Sequence, residues 1–238
     1  MAVYACSDLH GMLRFYKAIK DMLEPEDKVY FLGDAGDRGP EPWETIKAIL
    51  NDPQFIYIKG NHEEMLVEAM GRGYGHHYNS LRRNGGEFTY KQAMAEPDWA
   101  EWRIKMKKLP TQEIYENTQG EIVYLSHAGF TPWLTENGTL GKVWDEDLIW
   151  SREHFLDKWP EDELLQKTIV VHGHTPIPFL LEEIDPSCKM DKIEAGALWY
   201  ANGKKCCIDC GAVFTGCCVL LNLDTWDETV LYTSSHMS

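Results

Sequence analysis

Val29-Tyr30-Phe31-Leu32-Gly33-Asp34-Ala35-Gly36-Asp37-Arg38-Gly39-Pro40 is a short apolar run that stops at a glycine and then delivers two aspartates and an arginine. Four apolar residues bounded by glycine read as a buried strand. Asp34 ends that strand and can bridge two metal ions. Asp37 lies about one turn further and can hold a histidine. The planar fork of Arg38 fits phosphate oxygens two at a time, and the glycines let the backbone turn tightly near a ligand. Taken alone, Asp37-Arg38-Gly39-Pro40 is equally compatible with a charged turn before the next helix.

The same arrangement recurs at four other apolar runs. Tyr4-Ala5-Cys6-Ser7 leads to Asp8-Leu9-His10, residues 55–58 lead to Lys59-Gly60-Asn61-His62, residues 122–125 to Ser126-His127, and residues 169–171 to His172-Gly173-His174. Ligands of open α/β sheets bind beyond the carboxyl ends of the strands, so five such ends would build one site. Any one aspartate there is usually a cap or turn former. Five strand ends carrying Asp, Asn or His favour a metal centre over five separate turns. Carboxylate, amide and imidazole ligands suit Mn, Fe or Zn rather than soft copper. Asp8 and His10 are two apart, so on a continuing strand they face the same way.

Between these strands the apolar spacing predicts helices over 11–23, 41–50 (Pro42 in the first turn), from the third strand to about 70, and over 98–109. Residues 71–84 are rich in Gly, His and Arg and show no clear period. The last third reads as β: segments 198–201 and 205–208 flank the hairpin signal Asn202-Gly203, and 212–223 and 229–233 complete an antiparallel set. Residues 234–238 read as a frayed tail. No linker or repeat divides the chain, so one domain over 1–238 is expected.

Composition narrows the function classes. A net charge of −15, or −15 + 4 = −11 with two divalent cations, disfavours nucleic acid as a partner. No apolar run reaches a membrane span, and residues 1–7 lack the basic start of a signal peptide. The seven cysteines include the adjacent pairs Cys206/Cys207 and Cys217/Cys218 but no zinc-ribbon pair, and read as reduced packing residues of a cytoplasmic protein. No cysteine is followed five residues later by an arginine, so a cysteine-phosphatase loop is not indicated.

The blocks Asp8-x-His10, Gly33-Asp34-x-x-Asp37-Arg38-Gly39, Gly60-Asn61-His62-Glu63, His127 and Gly173-His174 resemble the phosphoprotein phosphatase branch of the calcineurin-like metallophosphoesterases. Asn61-His62-Glu63-Glu64-Met65 and Asn84-Gly85-Gly86 are most similar to its bacterial and bacteriophage-lambda type. The resemblance implies an α/β fold of two mixed sheets in a sandwich flanked by helices. It implies one metal on Asp8, His10 and Asp34 and a second on Asp34, Asn61, His127 and His174, with Mn expected and Fe or Zn compatible. Of the two histidines flanking Gly173, the family pattern puts the ligand directly after Gly, hence His174, with His172 behind it. His62 would be the general acid, oriented by Asp37. Arg38 and Arg152, the latter in Asp147-Leu148-Ile149-Trp150-Ser151-Arg152, would hold the phosphate together with Asn61 and His62. A metal-bridging hydroxide would attack phosphorus in line, and no nucleophilic side chain is needed. For Arg152 the competing reading is a solvated arginine beside a helix-end tryptophan.

The expected substrate is a phosphoprotein or phosphopeptide carrying phosphoserine or phosphothreonine, with phosphotyrosine a further option, acted on by a monomer with no nucleic-acid or membrane partner. Hydrolysis of symmetrical dinucleoside polyphosphates on the same metal site is the nearest alternative. A nuclease of the wider superfamily typically shows Gly-His-x-His, whereas Thr175-Pro176 follows His174 here. A metal-free binding protein on the same scaffold would be expected to lack a ligand. Lys59 stands where the family often has Arg, and Ala35 and Gly36 are small within their block.

Overall fold

The structure, a computed structural model, describes residues 1–187 and 195–233. Cys188 and the tail expected at 234–238 lie outside the described residues. Among the described residues, ten strands form two five-stranded sheets.

In the first sheet β1 (Val3–Cys6), β2 (Lys28–Phe31) and β3 (Phe55–Tyr57) run parallel. The second contains β4 (Gln112–Glu116), β5 (Ile122–Ser126), β6 (Thr168–His172), β7 (Leu198–Tyr200) and β8 (Lys205–Cys207), in the order β4-β5-β6-β8-β7, with β5, β6 and β8 parallel. Two late strands, β9 (Cys217–Asn222) and β10 (Glu228–Tyr232), return to the first sheet, where β9 pairs antiparallel with β1. Both sheets are mixed, as expected. The late strands do not form one antiparallel set: they are shared between the two sheets.

Alternation along the strands explains the layers. Val3 and Ala5 of β1, Val219 and Leu221 of β9, Val123 and Leu125 of β5 and Ile169 and Val171 of β6 fill the space between the sheets. Their strand neighbours Cys6, Cys218 and Leu220 face instead a second core. That core is closed by α1 (Leu13–Met22), α2 (Pro42–Leu50), α3 (Asn61–Arg72), α4 (His76–Arg83), α5 (Glu87–Ala95) and α6 (Trp99–Lys107). Each fully buried Val or Leu contributes about 1.5–3 kcal/mol relative to exposure. On the far side of the second sheet, Val170 packs with Phe130 and with Leu148 of α7 (Asp145–Trp150). The six described cysteines are buried and no disulfide links them. Among the described residues, no helix is long and apolar enough to cross a membrane.

Three local readings are corrected. The aperiodic stretch 71–84 contains α4: its glycines masked an eight-residue helix whose Leu81 is buried and whose Tyr78 ring packs 4.6 Å from Tyr74 and 4.9 Å from Tyr90. The run 212–223 is not one strand. Gly211 and Gly216, at φ 71° and 67°, bracket the short helix α9 (Ala212–Thr215) before β9 begins. The hairpin closes at the pair Tyr200–Lys205, so its turn spans residues 201–204 rather than two residues, with Ala201, Asn202 and Gly203 all at positive φ.

Candidate metal centre

The carboxyl ends of the parallel strands of both sheets converge. Beyond β1 and β2 the ladder continues into the loops, with Asp8 N–H donating to Gly33 O at 3.0 Å and His10 N–H to Asp34 O at 3.0 Å. Gly173 N–H donates to His127 O at 2.8 Å across β5 and β6. His127 Nδ1–H reaches the other sheet and donates to Leu32 O at 2.7 Å, and His174 N–H donates to Asp8 Oδ2 at 3.0 Å.

Two glycines permit this approach. A Cβ on Gly60 would lie 2.2 Å from Asp34 Oδ1, and one on Gly173 would lie 2.1 Å from Asp8 Oδ2. The backbone is bent to the same end: Asp8, His10, Asp34, Asp37, Arg38 and His174 all have φ between 42° and 69°. Each such left-handed residue costs on the order of 1–3 kcal/mol and persists where surrounding structure enforces it.

Asp34 lies at the middle. Its Oδ2 is 3.6 Å from His10 Nε2 and 3.8 Å from His62 Nε2, while its Oδ1 is 3.4 Å from His127 Nε2. Its carboxylate is thus shared by two clusters of candidate ligands, His10/Asp34/His62 and Asp8/Asp34/His127. Asn61 Oδ1 lies 2.9 Å from His127 Nε2, and His174 Nδ1 lies 3.1 Å from the same nitrogen. His172 points elsewhere, with its ring nitrogens at Gly173 O and at the Tyr200 hydroxyl, 2.8 Å from Nε2.

The proton accounting fits cations. A carbonyl only accepts, so His10 Nδ1, 2.9 Å from Gly36 O, and His127 Nδ1 must donate. Their Nε2 atoms then present lone pairs. Around His127 Nε2 stand two further acceptors, Asn61 Oδ1 and Asp34 Oδ1. Lone pairs turned toward one another inside a protein are reconciled by a positive ion. Asp8 Oδ1 and His174 Nε2 are buried without a hydrogen-bond partner. Burial, then the neighbouring Asp209, pushes the Asp8 carboxyl well above the usual range; burial, Glu63 and Asp8 do so for Asp34. Burial holds His127 down to about 3 and lowers His10 and His174, keeping these rings neutral and able to ligate. The residues present therefore fit two divalent ions.

Within the His10/Asp34/His62 group, His62 Nδ1 is 2.5 Å from Asp37 Oδ2, and Asp37 Oδ1 accepts from the Thr89 hydroxyl. The Arg38 guanidinium reaches both His10 Nε2, at 2.6 Å, and His62 Nε2, at 2.9 Å. Arg152 Nε donates to Thr175 Oγ1 at 2.9 Å, next to His174, and its charge acts on His127 and His174. Lys59 turns away and pairs with Glu64 at 3.1 Å. The structure thus gathers Asp8, His10, Asp34, Asp37, Arg38, Asn61, His62, His127, Arg152 and His174 at one end of the sandwich.

Two residues here were not singled out as part of the site. Glu63 is buried, and its carboxylate accepts from Asp34 N–H, Ala35 N–H, Gly60 N–H and the Tyr57 hydroxyl, at 2.8–3.0 Å. It pins the two loops that carry Asp34 and Asn61. Asp209 follows Cys206-Cys207-Ile208 at the end of β8, the same signal as the other strand ends. The hairpin pattern of 198–208 hides that signal in the sequence.

A family model described as calcineurin-like phosphoesterase matches residues 1–207. A symmetrical bis(5'-nucleosyl)-tetraphosphatase of Pseudomonas fluorescens (strain SBW25) is 32% identical over 137 residues, 56% of this chain and 44% of its own. Serine/threonine-protein phosphatase 2 of Escherichia coli (strain K12) is 32% identical over 133 residues, 54% of this chain and 58% of its own. The chain thus spans about half the length of these curated relatives. Among solved structures, a metallophosphoesterase from Sphaerobacter thermophilus superposes with a TM-score of 0.53 at 17% identity, covering 98% of this chain and 89% of the other. A protein serine/threonine phosphatase from Saccharomyces cerevisiae gives 0.54 at 13% identity, with 88% and 67% covered. Likeness at such identities concerns the fold.

Proposed function

This chain belongs to the calcineurin-like phosphoesterases, and from that premise we propose that it hydrolyses phosphomonoesters, with phosphoserine and phosphothreonine of polypeptides as its substrates. The observation that carries the reading is Arg38. Its guanidinium contacts one imidazole of the metal cluster, His10, and one that lies on an aspartate, His62. These contacts support reading Arg38 as the phosphate binder and His62 as the proton donor next to the proposed metal ligands.

Asp8, His10, Asp34, Asn61, His127 and His174 would hold two divalent ions, Mn by expectation. When bound, the ions supply Lewis acidity and lower the pKa of water to make a nucleophile at neutral pH. The side chains do the rest. Arg38 turns its fork from the two imidazoles onto phosphate oxygens, and Arg152 approaches from the His174 side; both offset the charge that grows on the equatorial oxygens. Asp37 accepts the Nδ1–H of His62 and fixes the ring, so that Nε2 delivers its proton to the departing serine or threonine oxygen. Thr89 holds Asp37 in turn. Trp150, its ring 6.4 Å from the His174 ring and partly exposed, offers an aromatic surface to the rest of the substrate. The whole chain reads as one catalytic domain, a monomer inside the cell.

The second reading, hydrolysis of symmetrical dinucleoside polyphosphates, draws support from the relatives that bear that name. The deciding experiment compares kcat/KM, in Mn²⁺ and after chelation, for phosphoserine, phosphothreonine and phosphotyrosine peptides and for diadenosine tetraphosphate. Metal-dependent peptide turnover above the nucleotide rate is expected. A dominant nucleotide rate would move the function to the second reading, and no metal-dependent turnover of either would sink both.

A further inference from the structure

Asp209 is 1% exposed, just beyond the parallel strand β8 and next to β6, the strand that leads into His174. Its backbone is clamped to the loop that carries His174, with Ile208 N–H donating to His172 O and Ile177 N–H to Asp209 O, both at 2.8 Å. One carboxylate oxygen, Oδ1, accepts from Gly211 N–H at 2.8 Å. The other, Oδ2, is buried with no hydrogen-bond partner. Burying such an oxygen is unfavourable unless a donor or a cation faces it.

The segment to which Asp209 is clamped reaches the metal cluster, with His174 N–H donating to Asp8 Oδ2 at 3.0 Å. The Asp209 charge acts on Asp8, whose own Oδ1 is likewise buried and unpaired, and Asp209 lies within the fields of Arg38 and Arg152. No lysine or arginine forms an ion pair with either carboxylate among the described residues. A buried carboxylate oxygen without a partner, beside a set of candidate metal ligands, is offset by a nearby cation.

We propose that Asp209, placed by β8, is an acidic member of the metal centre on its Asp8 side and sets the affinity of the ion held by Asp8, His10 and Asp34. The role is one of positioning and charge. It rests on the reading that those three residues hold a cation, and it adds a sixth strand end to the five that the sequence pattern marked.

Asp209→Asn is the test, because an amide oxygen can still accept from Gly211 N–H while the negative charge is removed. Mn²⁺ binding is followed by calorimetric titration and by the EPR signal of coupled ions, with the exposed Asp21→Asn as a control for net charge. Wild type is expected to take two ions. Asp209→Asn should bind one of them about 10–100-fold more weakly, the size typical of residues that support metal ligands, while the control matches wild type. Without metal, Asp209→Asn should melt no lower than wild type, since the amide keeps the Gly211 hydrogen bond and removes a buried charge, and its gain in Tm on adding Mn²⁺ should shrink. A two-site titration identical to wild type, or a lowered metal-free Tm with unchanged affinities, would show that Asp209 only supports the fold. Asp209→Ser, whose hydroxyl can also accept from Gly211, gives the same readout if the amide variant does not fold. Wild-type protein that binds no ion would overturn the metal reading itself, an outcome distinct from failure of the Asp209 assignment.

Discussion

His62 Nδ1 lies 2.5 Å from Asp37 Oδ2, although Asp37 is in the loop after β2 and His62 in the first turn of α3. The contact leaves Nε2 facing the cluster, where Arg38 lies 2.9 Å from it. Replacing His62 by Asn is expected to retain both metal ions and to lower kcat by about 10²–10⁴, the usual contribution of general-acid help. The loss should grow as the leaving group worsens. A series of aryl phosphates gives the slope of log kcat against leaving-group pKa; a slope unchanged from wild type would remove His62 from the acid role. Asp37→Asn should show the same trend more weakly.

Asn61→Ala and His174→Ala each take one ligand from the group around His127 Nε2. Bound metal after gel filtration should fall from two ions toward one, and turnover should almost vanish. Full activity with full metal content in either variant would show that these residues are not ligands.

Arg38→Ala should raise KM and lower kcat together, because the guanidinium meets phosphate in both the bound and the transition state. Inhibition by inorganic phosphate should weaken in parallel. Unchanged kinetics would reduce Arg38 to a turn residue in a left-handed conformation.

Glu63 accepts four hydrogen bonds from buried groups. Truncation to Ala strands those donors, each costing about 1–3 kcal/mol when left unpaired, so a loss of about 3 kcal/mol or more in urea unfolding is expected. A loss below about 1 kcal/mol would mean that water replaces the carboxylate without penalty.

The buried acids and histidines respond to pH with opposite signs. His127 and His154 are depressed by burial to about 3 and about 4. The unfolded chain therefore binds more protons, and their contribution to stability is present above about 6.5 and lost as pH falls toward those values. Asp8 and Asp34 are raised, so without metal their ionisation destabilises the fold as pH climbs above the ordinary carboxylate range. Bound cations remove that penalty and must displace protons at low pH. The gain in Tm on adding Mn²⁺ should accordingly be larger at pH 7.5 than at pH 5.5. Equal gains would indicate that Asp8 and Asp34 carry no protons to displace.

The chain by itself marked the candidate ligands and the sheet end at which they meet. An apolar run followed by Asp, Asn or His is a local signal, since strand ends and glycine turns are set by near neighbours, and Asp8, Asp34, Asn61, His127 and His174 were legible for that reason. Tertiary structure decided what depends on distant partners. Which ring of His172 and His174 faces the cluster follows from the side on which Tyr200 meets His172. The helix α4 exists because Leu81 and the stacked tyrosines have a core to enter, which the glycines around it conceal. Glu63 binds loops that are remote in sequence. The late strands divide between two sheets because the left-handed Gly211 and Gly216 turn the chain away after Asp209. Local steric preference writes strands and turns into the sequence, whereas the pairing of buried charges is settled only when the two sheets close on one another.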